Sequence, residues 1–265
     1  MTLQNIFSKN YKWWYFINYQ FKLSFGNFSA FLINTTVRTI EFLAIIYIWK
    51  INNSLPAVIT YLAIGRVFEK LIFSEIEGQV SYLIIKGGLS RWLLYPTNFF
   101  GYMICDNIGY NFFRTSINSL IILVLSLLLF QNDIILSSNT LYLIPMFFVG
   151  YGIKTFWSFI MSSVAFWQDT NANSHNIIDA IRVLSTLFSG SIIPLYLIFT
   201  GIFNFLLYTP FAYTLHHPMQ IYLGKYDPNQ TLLVFLGGTA WCLILWILAR
   251  IVFKMGLKKN EAVGL

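Results

Sequence analysis

Residues 84–98 read IIKGGLSRWLLYPTN. Two glycines, a lysine, an arginine and a proline stand here between two apolar runs, each of which reads as a membrane helix. The stretch is amphipathic and too short to cross a bilayer, so it reads as a structured connection between spans.

The runs on either side are part of a wider pattern. Hydrophobic residues make up 57% of the 265 and charged residues only 10%, more apolar surface than a water-soluble domain of this size hides in one core. The expected fold class is an all-α integral membrane protein with about six transmembrane helices. These are Phe28–Trp49, Leu55–Phe73, Phe99–Phe130, Leu141–Trp167, Ile177–Phe199 and Thr231–Phe253, each near the roughly 20 residues that a crossing needs. Asp106 and Arg114 place the first part of the long third run beyond the hydrocarbon or along the interface.

The net charge of +7 reflects topology. Lys and Arg are scattered and fall mainly at the ends of apolar runs, which is no nucleic-acid footprint, so membrane lipids are expected as neighbours and nucleic acid is not. Lys9, Lys12 and Lys22 precede the first span, Lys70, Lys86 and Arg91 lie near or within the second connection, and Lys254, Lys258 and Lys259 follow the last span. The connection QNDIILSSNT carries no basic residue, and the other connections on its side offer only Lys50 and Lys225. The positive-inside rule then places both termini and the 84–98 stretch in the cytoplasm. The connection WQDTNANSHN tests this least, having no Lys or Arg of its own.

At the N-terminus, bulky aromatics alternate with lysines, without a continuous apolar core or a small-residue cleavage site. This suits a helix lying in the membrane interface over residues 1–27, and no cleaved signal peptide is expected. Residues 190–225 stay apolar far past a membrane length but are broken by Pro194, Gly201, Pro210 and Pro218. Short helices dipping back from the outer face fit this better than another crossing, which would also carry the basic C-terminus outside. With no repeat or soluble insert, 1–265 reads as one membrane domain.

No nucleotide-binding G-x-x-x-x-G-K-[ST] loop, G-x-S-x-G elbow or H-E-x-x-H pair is present, so no catalytic, cofactor or metal site is expected within the chain. Cys105 and Cys242 lack metal spacing. Polar chemistry is instead carried by charges inside the spans, which are costly there unless paired or facing a cavity. Arg38 and Glu41, and Arg66 and Glu69, each lie three apart on one helical face. They read as a conduit lining or as neutralising pairs that lock two spans, with Arg66 a partner for Glu41. Lys154, in mid-span without a helical acidic neighbour, is a candidate for a polar substrate path. The adjacent His216 and His217 read as polar residues at an outer turn before Pro218.

Together these features resemble the permease subunit of a type-2 ATP-binding-cassette exporter, the six-span branch without a fused ATPase. The resemblance is carried by the interfacial N-terminal stretch and by Gly88, Leu89, Ser90, Trp92, Pro96 and Asn98 after the second span. It continues through Gly190 and Pro194, Pro210 and Phe211, Pro218 and Gly224, and the last span with Trp241, Arg250 and Gly256. The family often has an acidic residue directly before its loop glycine, where this chain has Lys86 and Gly87.

The resemblance implies a cytoplasmic coupling helix over residues 74–96, docking on an ATPase through Glu75, Glu77, Lys86, Gly87, Gly88, Leu89, Ser90 and Arg91. Gly87 and Gly88 would both supply turn freedom, and Pro96 would open the third span. An outer gate of Gly190, Pro194, Pro210, Phe211 and Pro218 is also implied. So are two copies of a cytoplasmic ABC ATPase holding the ATP and Mg, a second permease, identical or homologous, and a bacterial cytoplasmic membrane. The competing readings are a lipid-modifying membrane enzyme using His216 and His217, and a non-catalytic scaffold or substrate-capture subunit.

Overall fold

The computed structural model describes residues 3–26, 28–51, 55–94, 98–167, 174–198 and 201–262, and every regular element among them is helical. Helix α1 (Leu3–Ser24) precedes α2 (Phe28–Ile51), α3 (Pro56–Leu71), α4 (Ile76–Ile85) and the short α5 (Leu89–Leu93). Next, α6 (Phe99–Asn107) runs through a π-helical turn at Ile108–Phe112 into α7 (Phe113–Phe130). After these come α8 (Leu143–Ser163), α9 (Ser174–Ser189), α10 (Leu195–Ile198), α11 (His216–Tyr222) and the long α12 (Pro228–Ala262). Tyr95 and Pro96, expected at the end of the second connection, lie outside the described residues.

Among those residues, four helices are long and apolar enough to cross a membrane: Phe31–Ile51, Phe99–Phe130, Ser138–Trp167 and Pro228–Lys259. The expected second and fifth spans are each realised as 16-residue helices, α3 and α9. At 1.5 Å per residue such a helix covers about 24 Å, less than the roughly 30 Å of hydrocarbon. Both are cut short by the local backbone. Helix α3 starts with Pro56 in its first turn, where the missing N–H costs nothing, and stops at Leu71. The chain then leaves helical geometry through Ser74, and the Glu75 N–H freed by the break donates to Asn107 Oδ1 at 3.1 Å. Helix α9 ends because Gly190 adopts a φ of 83°, which is left-handed backbone that glycine tolerates.

Away from the breaks, some hydroxyls in the spans are satisfied by their own helix. Thr39 and Ser119 donate to the carbonyls of Thr35 and Thr115, both at 2.7 Å, so these hydroxyls need no water. The two largest buried clusters hold the bundle. One gathers Phe42, Ile46, Tyr61, Ile72, Ile122, Met146 and Met219. The other gathers Ile76, Val80, Leu89, Phe99, Phe159, Phe166 and Phe253, with Phe99 and Phe253 stacked at 5.3 Å. Helix α4 is thus built into one end of the bundle, packed on α8. At the opposite end, Lys50 pairs with Asp133 at 2.8 Å, Thr60 Oγ1 accepts from the Ile135 N–H at 2.8 Å, and the Tyr222 hydroxyl donates to the Ile135 carbonyl at 3.1 Å.

The N-terminal helix lies along α6, the π-turn and α7, with Phe16 against Tyr102 and Phe21 edge-on to Phe113. This approach depends on Gly109, where a Cβ would stand 2.7 Å from the Ile17 carbonyl oxygen and 2.8 Å from Gln20 Cβ. Gly109→Val is expected to lift α1 off the bundle at a cost of about 1–3 kcal/mol, the range for overpacking. Thermal unfolding in detergent and protease protection of residues 3–24 measure this, and an unchanged melting temperature with α1 still protected would rule the contact out as a determinant.

Candidate functional site

The two helix breaks face one cavity. Of about 390 Å³, it lies between α2, α3, α8 and α9, and Phe73 and Ser74 of the first break and Ser191 and Ile192 of the second are among its walls. Five cationic side chains line it (Arg38, Arg66, Lys70, Lys154 and Arg182) with three carboxylates (Glu41, Glu69 and Glu77). Its volume lies in the range of small-molecule sites, about 300–1,000 Å³. Interrupted helices around a polar cavity are also how transporters bring backbone and charge to membrane depth, because irregular backbone survives there only when it lines a cavity or is covered by protein.

The charges are ordered by pairing. Arg66 Nη1 bonds Glu69 Oε2 at 2.9 Å, and the same oxygen accepts from Ser191 Oγ at 2.7 Å. A helical pair three residues apart is thereby fastened to the segment just beyond the end of α9. Lys154 of α8 stands within electrostatic reach of Glu69, and the Arg66 guanidinium lies 5.6 Å from the centre of the Phe42 ring. At another wall, Arg182 Nε of α9 bonds Glu77 Oε1 of α4 at 2.9 Å.

All five residues expected to carry charge chemistry inside the spans, Arg38, Glu41, Arg66, Glu69 and Lys154, are brought to this one cavity. The pairing differs from the sequence expectation. Arg66 is taken by Glu69 on its own helix, where the i,i+3 spacing needs no rearrangement of α2, and Arg38 Nε donates to Asn34 Oδ1 at 3.2 Å. Lys70, Arg182 and Ser191 join the site without having been singled out for it. Lys70 lay four residues from Arg66 and was legible as part of the same face, whereas no local signal marks Ser191.

The residues that the resemblance assigns to ATPase docking separate into two groups. Glu77 is 6% exposed and Leu89 is 2% exposed; both are turned into the bundle, since α4 packs on α8 with its Ile76, Val80 and Ile84 side. Glu75, Lys86, Gly87 and Arg91 are exposed, and Leu94 is 86% exposed. Only Gly87 takes a left-handed φ, 71°, while Gly88 stays in the right-handed helical region, so one glycine makes the turn expected of two.

In the segment expected at the outer gate, Pro194 and Pro210 are buried, and Phe211 stands edge-on to Trp157, a wall of the cavity, at 4.9 Å. Pro218 lies in the first turn of the buried α11. His216 and His217 open the same helix and are buried too, because the short helices fold back against the spans; the expected outer turn is corrected on this point. His217 Nε2 faces the Leu207 carbonyl at 2.8 Å and therefore donates, leaving Nδ1 to accept from the Tyr226 hydroxyl at 2.9 Å. Both ring nitrogens are used in holding the segment. Among the described residues, no three His, Cys, Asp or Glu side chains are grouped to hold a metal ion.

Comparison with known families agrees with this architecture. The family described as ABC-2 family transporter protein matches residues 52–264, well over half of the chain, and the chain belongs to that family. It is a multi-pass membrane protein and a transporter permease subunit. No curated protein and no solved structure matches the chain.

Glu69→Gln is expected to strand the Arg66 guanidinium in the bundle. Removing one member of a buried pair costs about 3–5 kcal/mol, and both side chains are under a fifth exposed. The double change Arg66→Met with Glu69→Leu should recover most of that loss. Melting temperatures of the three proteins in one detergent measure it, and equal destabilisation by the single and double changes would refute the pairing.

Proposed function

We propose that this permease is the membrane half of an ATP-driven exporter working by alternating access. Its substrate enters the charged cavity from the cytoplasmic side and leaves past the broken segment 190–225. ATP and Mg belong to two copies of a separate cytoplasmic ABC ATPase, and a second permease, identical or homologous, completes the complex. The setting is a bacterial cytoplasmic membrane with both termini inside.

One observation carries this reading: α4 lines the cavity with Glu77 and leads directly into the 86–94 tip, whose Lys86, Arg91 and Leu94 are exposed. The inner end of α4 holds Arg182 through Glu77. Its outer end leads, through the Gly87 turn, to the exposed Lys86, Arg91 and Leu94. A push on the tip by the ATPase is carried along α4 to Glu77 and, through its bond to Arg182, to the α9 wall of the cavity. In this scheme Glu75, Lys86, Gly87, Gly88, Ser90 and Arg91 make or shape the docking surface. Glu77 and Leu89 are the transmitting side chains, fixed in the bundle. Gly190, Pro194, Pro210, Phe211 and Pro218 belong to the outer closure, with Phe211 bearing on the cavity wall through Trp157.

Purification of the tagged chain from its own host in mild detergent, with mass spectrometry of what accompanies it, tests the assembly. A near-stoichiometric soluble chain with a G-x-x-x-x-G-K-[ST] loop is the expected companion, and repeated recovery of a stable, solitary chain would overturn the reading. Within the complex, Leu94→Glu with Arg91→Glu should release the ATPase while leaving melting unchanged, since both side chains are exposed. Glu77→Gln should instead keep the ATPase bound and lower transport per ATP hydrolysed. Retained ATPase binding by the tip variant would place the docking surface elsewhere.

A further inference from the structure

We infer that the cavity binds an amphipathic organic anion, with a phosphate or carboxylate head among its cations and an apolar body against its aromatic and aliphatic walls. This deepens the transport reading above and rests on it for the cavity's role.

The inference starts from charge. The five cations and three carboxylates of the lining leave an excess of two positive charges, in a place where uncompensated charge is costly. Two pairs are closed, Arg66 with Glu69 and Arg182 with Glu77. Glu69 accepts further from Ser191. Among the described residues, Arg38, Lys70 and Lys154 form no ion pair within the lining; Glu69 acts on Lys70 and Lys154 only at longer range, and Glu41 is the one lining carboxylate outside the closed pairs. These three cations come from α2, α3 and α8, so they approach the cavity from separate walls, as residues converging on one bound group do. The Arg66 Nε is also buried without a hydrogen-bond acceptor, one further donor at the same wall. Such a set accepts a mono- or dianionic group through charge-assisted hydrogen bonds.

The remainder of the lining selects the body. Phe42, Ile45, Phe73, Trp157, Met161 and Ile192 supply rings and aliphatic surface beside the cations. A bare inorganic anion would leave these walls uncovered, whereas an apolar body covers them and excludes water from the head, which strengthens its pairing. A cationic substrate is disfavoured by the same charge excess.

Direct binding tests this without any ATPase. The purified full-length chain in phosphatidylcholine nanodiscs is titrated with dodecyl phosphate, dodecyltrimethylammonium and inorganic phosphate, following binding by microscale thermophoresis. Saturable binding of dodecyl phosphate is expected, weakened about tenfold or more by Lys154→Gln or Arg38→Gln, the loss of one charge-assisted contact, and retained by Lys154→Arg. Folding is checked by melting, and Arg38→Gln, at the exposed rim, carries the test if Lys154→Gln is unstable. Equal affinity for the cationic probe, or binding indifferent to both substitutions, would overturn the anionic head. Inorganic phosphate binding as tightly as dodecyl phosphate would overturn the apolar body. Either failure leaves co-purification of an ATPase untouched, so it is distinguishable from failure of the exporter reading.

Discussion

The carboxylate of Glu69 must be paired to exist where it lies, and its pairing organises the polar interior of the bundle. One of its oxygens takes Arg66 from its own helix and Ser191 from just beyond the end of α9. In low-dielectric surroundings each contact is worth more than it would be in water, and its loss costs more. The pair therefore fixes where α9 can stop and keeps Gly190, with its left-handed backbone, beside Tyr61 and Leu195, where a Cβ would collide with both. From that point the chain does not continue as a span, and α11 packs back against α3 and α8.

The same logic explains why the two shorter helices are where the chemistry is. The four long apolar helices satisfy their backbones internally and can meet lipid. A broken helix exposes donors and acceptors and must be enclosed. At the first break Asn107 accepts the Glu75 N–H, and Asn107 in turn donates to the Tyr151 hydroxyl and accepts from Asn111, so the break is held by three neighbouring side chains. Enclosure and polarity thus arrive together, and the charged cavity is their product.

Much of this was legible in the sequence. The apolar runs gave the all-helical membrane class, and the spacing of Arg66 and Glu69 gave a pair on one face. Lys154 stood out because no helical neighbour could neutralise it. Three features were hidden for physical reasons. Hydropathy carried the fifth span through Gly190 because an apolar run registers composition and not the sign of φ. Glu77 looked like a docking residue because its partner Arg182 lies 105 positions away, beyond any local pattern. The two histidines looked superficial because prolines around them read as a turn, whereas the turn itself is folded inward.

The π-helical turn at Ile108–Phe112 gives the third span a particular response to insertion and deletion. A π turn carries one residue more than an α turn, and the surplus is stored in the middle of a continuous helix. Loss of one residue there need not break the span, because the segment can close up as ordinary α-helix. Residues 99–107 would keep nearly their orientation relative to α7, because the extra residue of a π turn is taken up within the wider turn. Asn107 would stay at the Glu75 N–H and Tyr102 at Phe16, whereas the same loss in the regular helix of α6 or α7 would turn them away by about 100°, one residue's share of a 3.6-residue turn. A length change at this point is thus absorbed where it occurs, and α1 and α4 keep their register with the span.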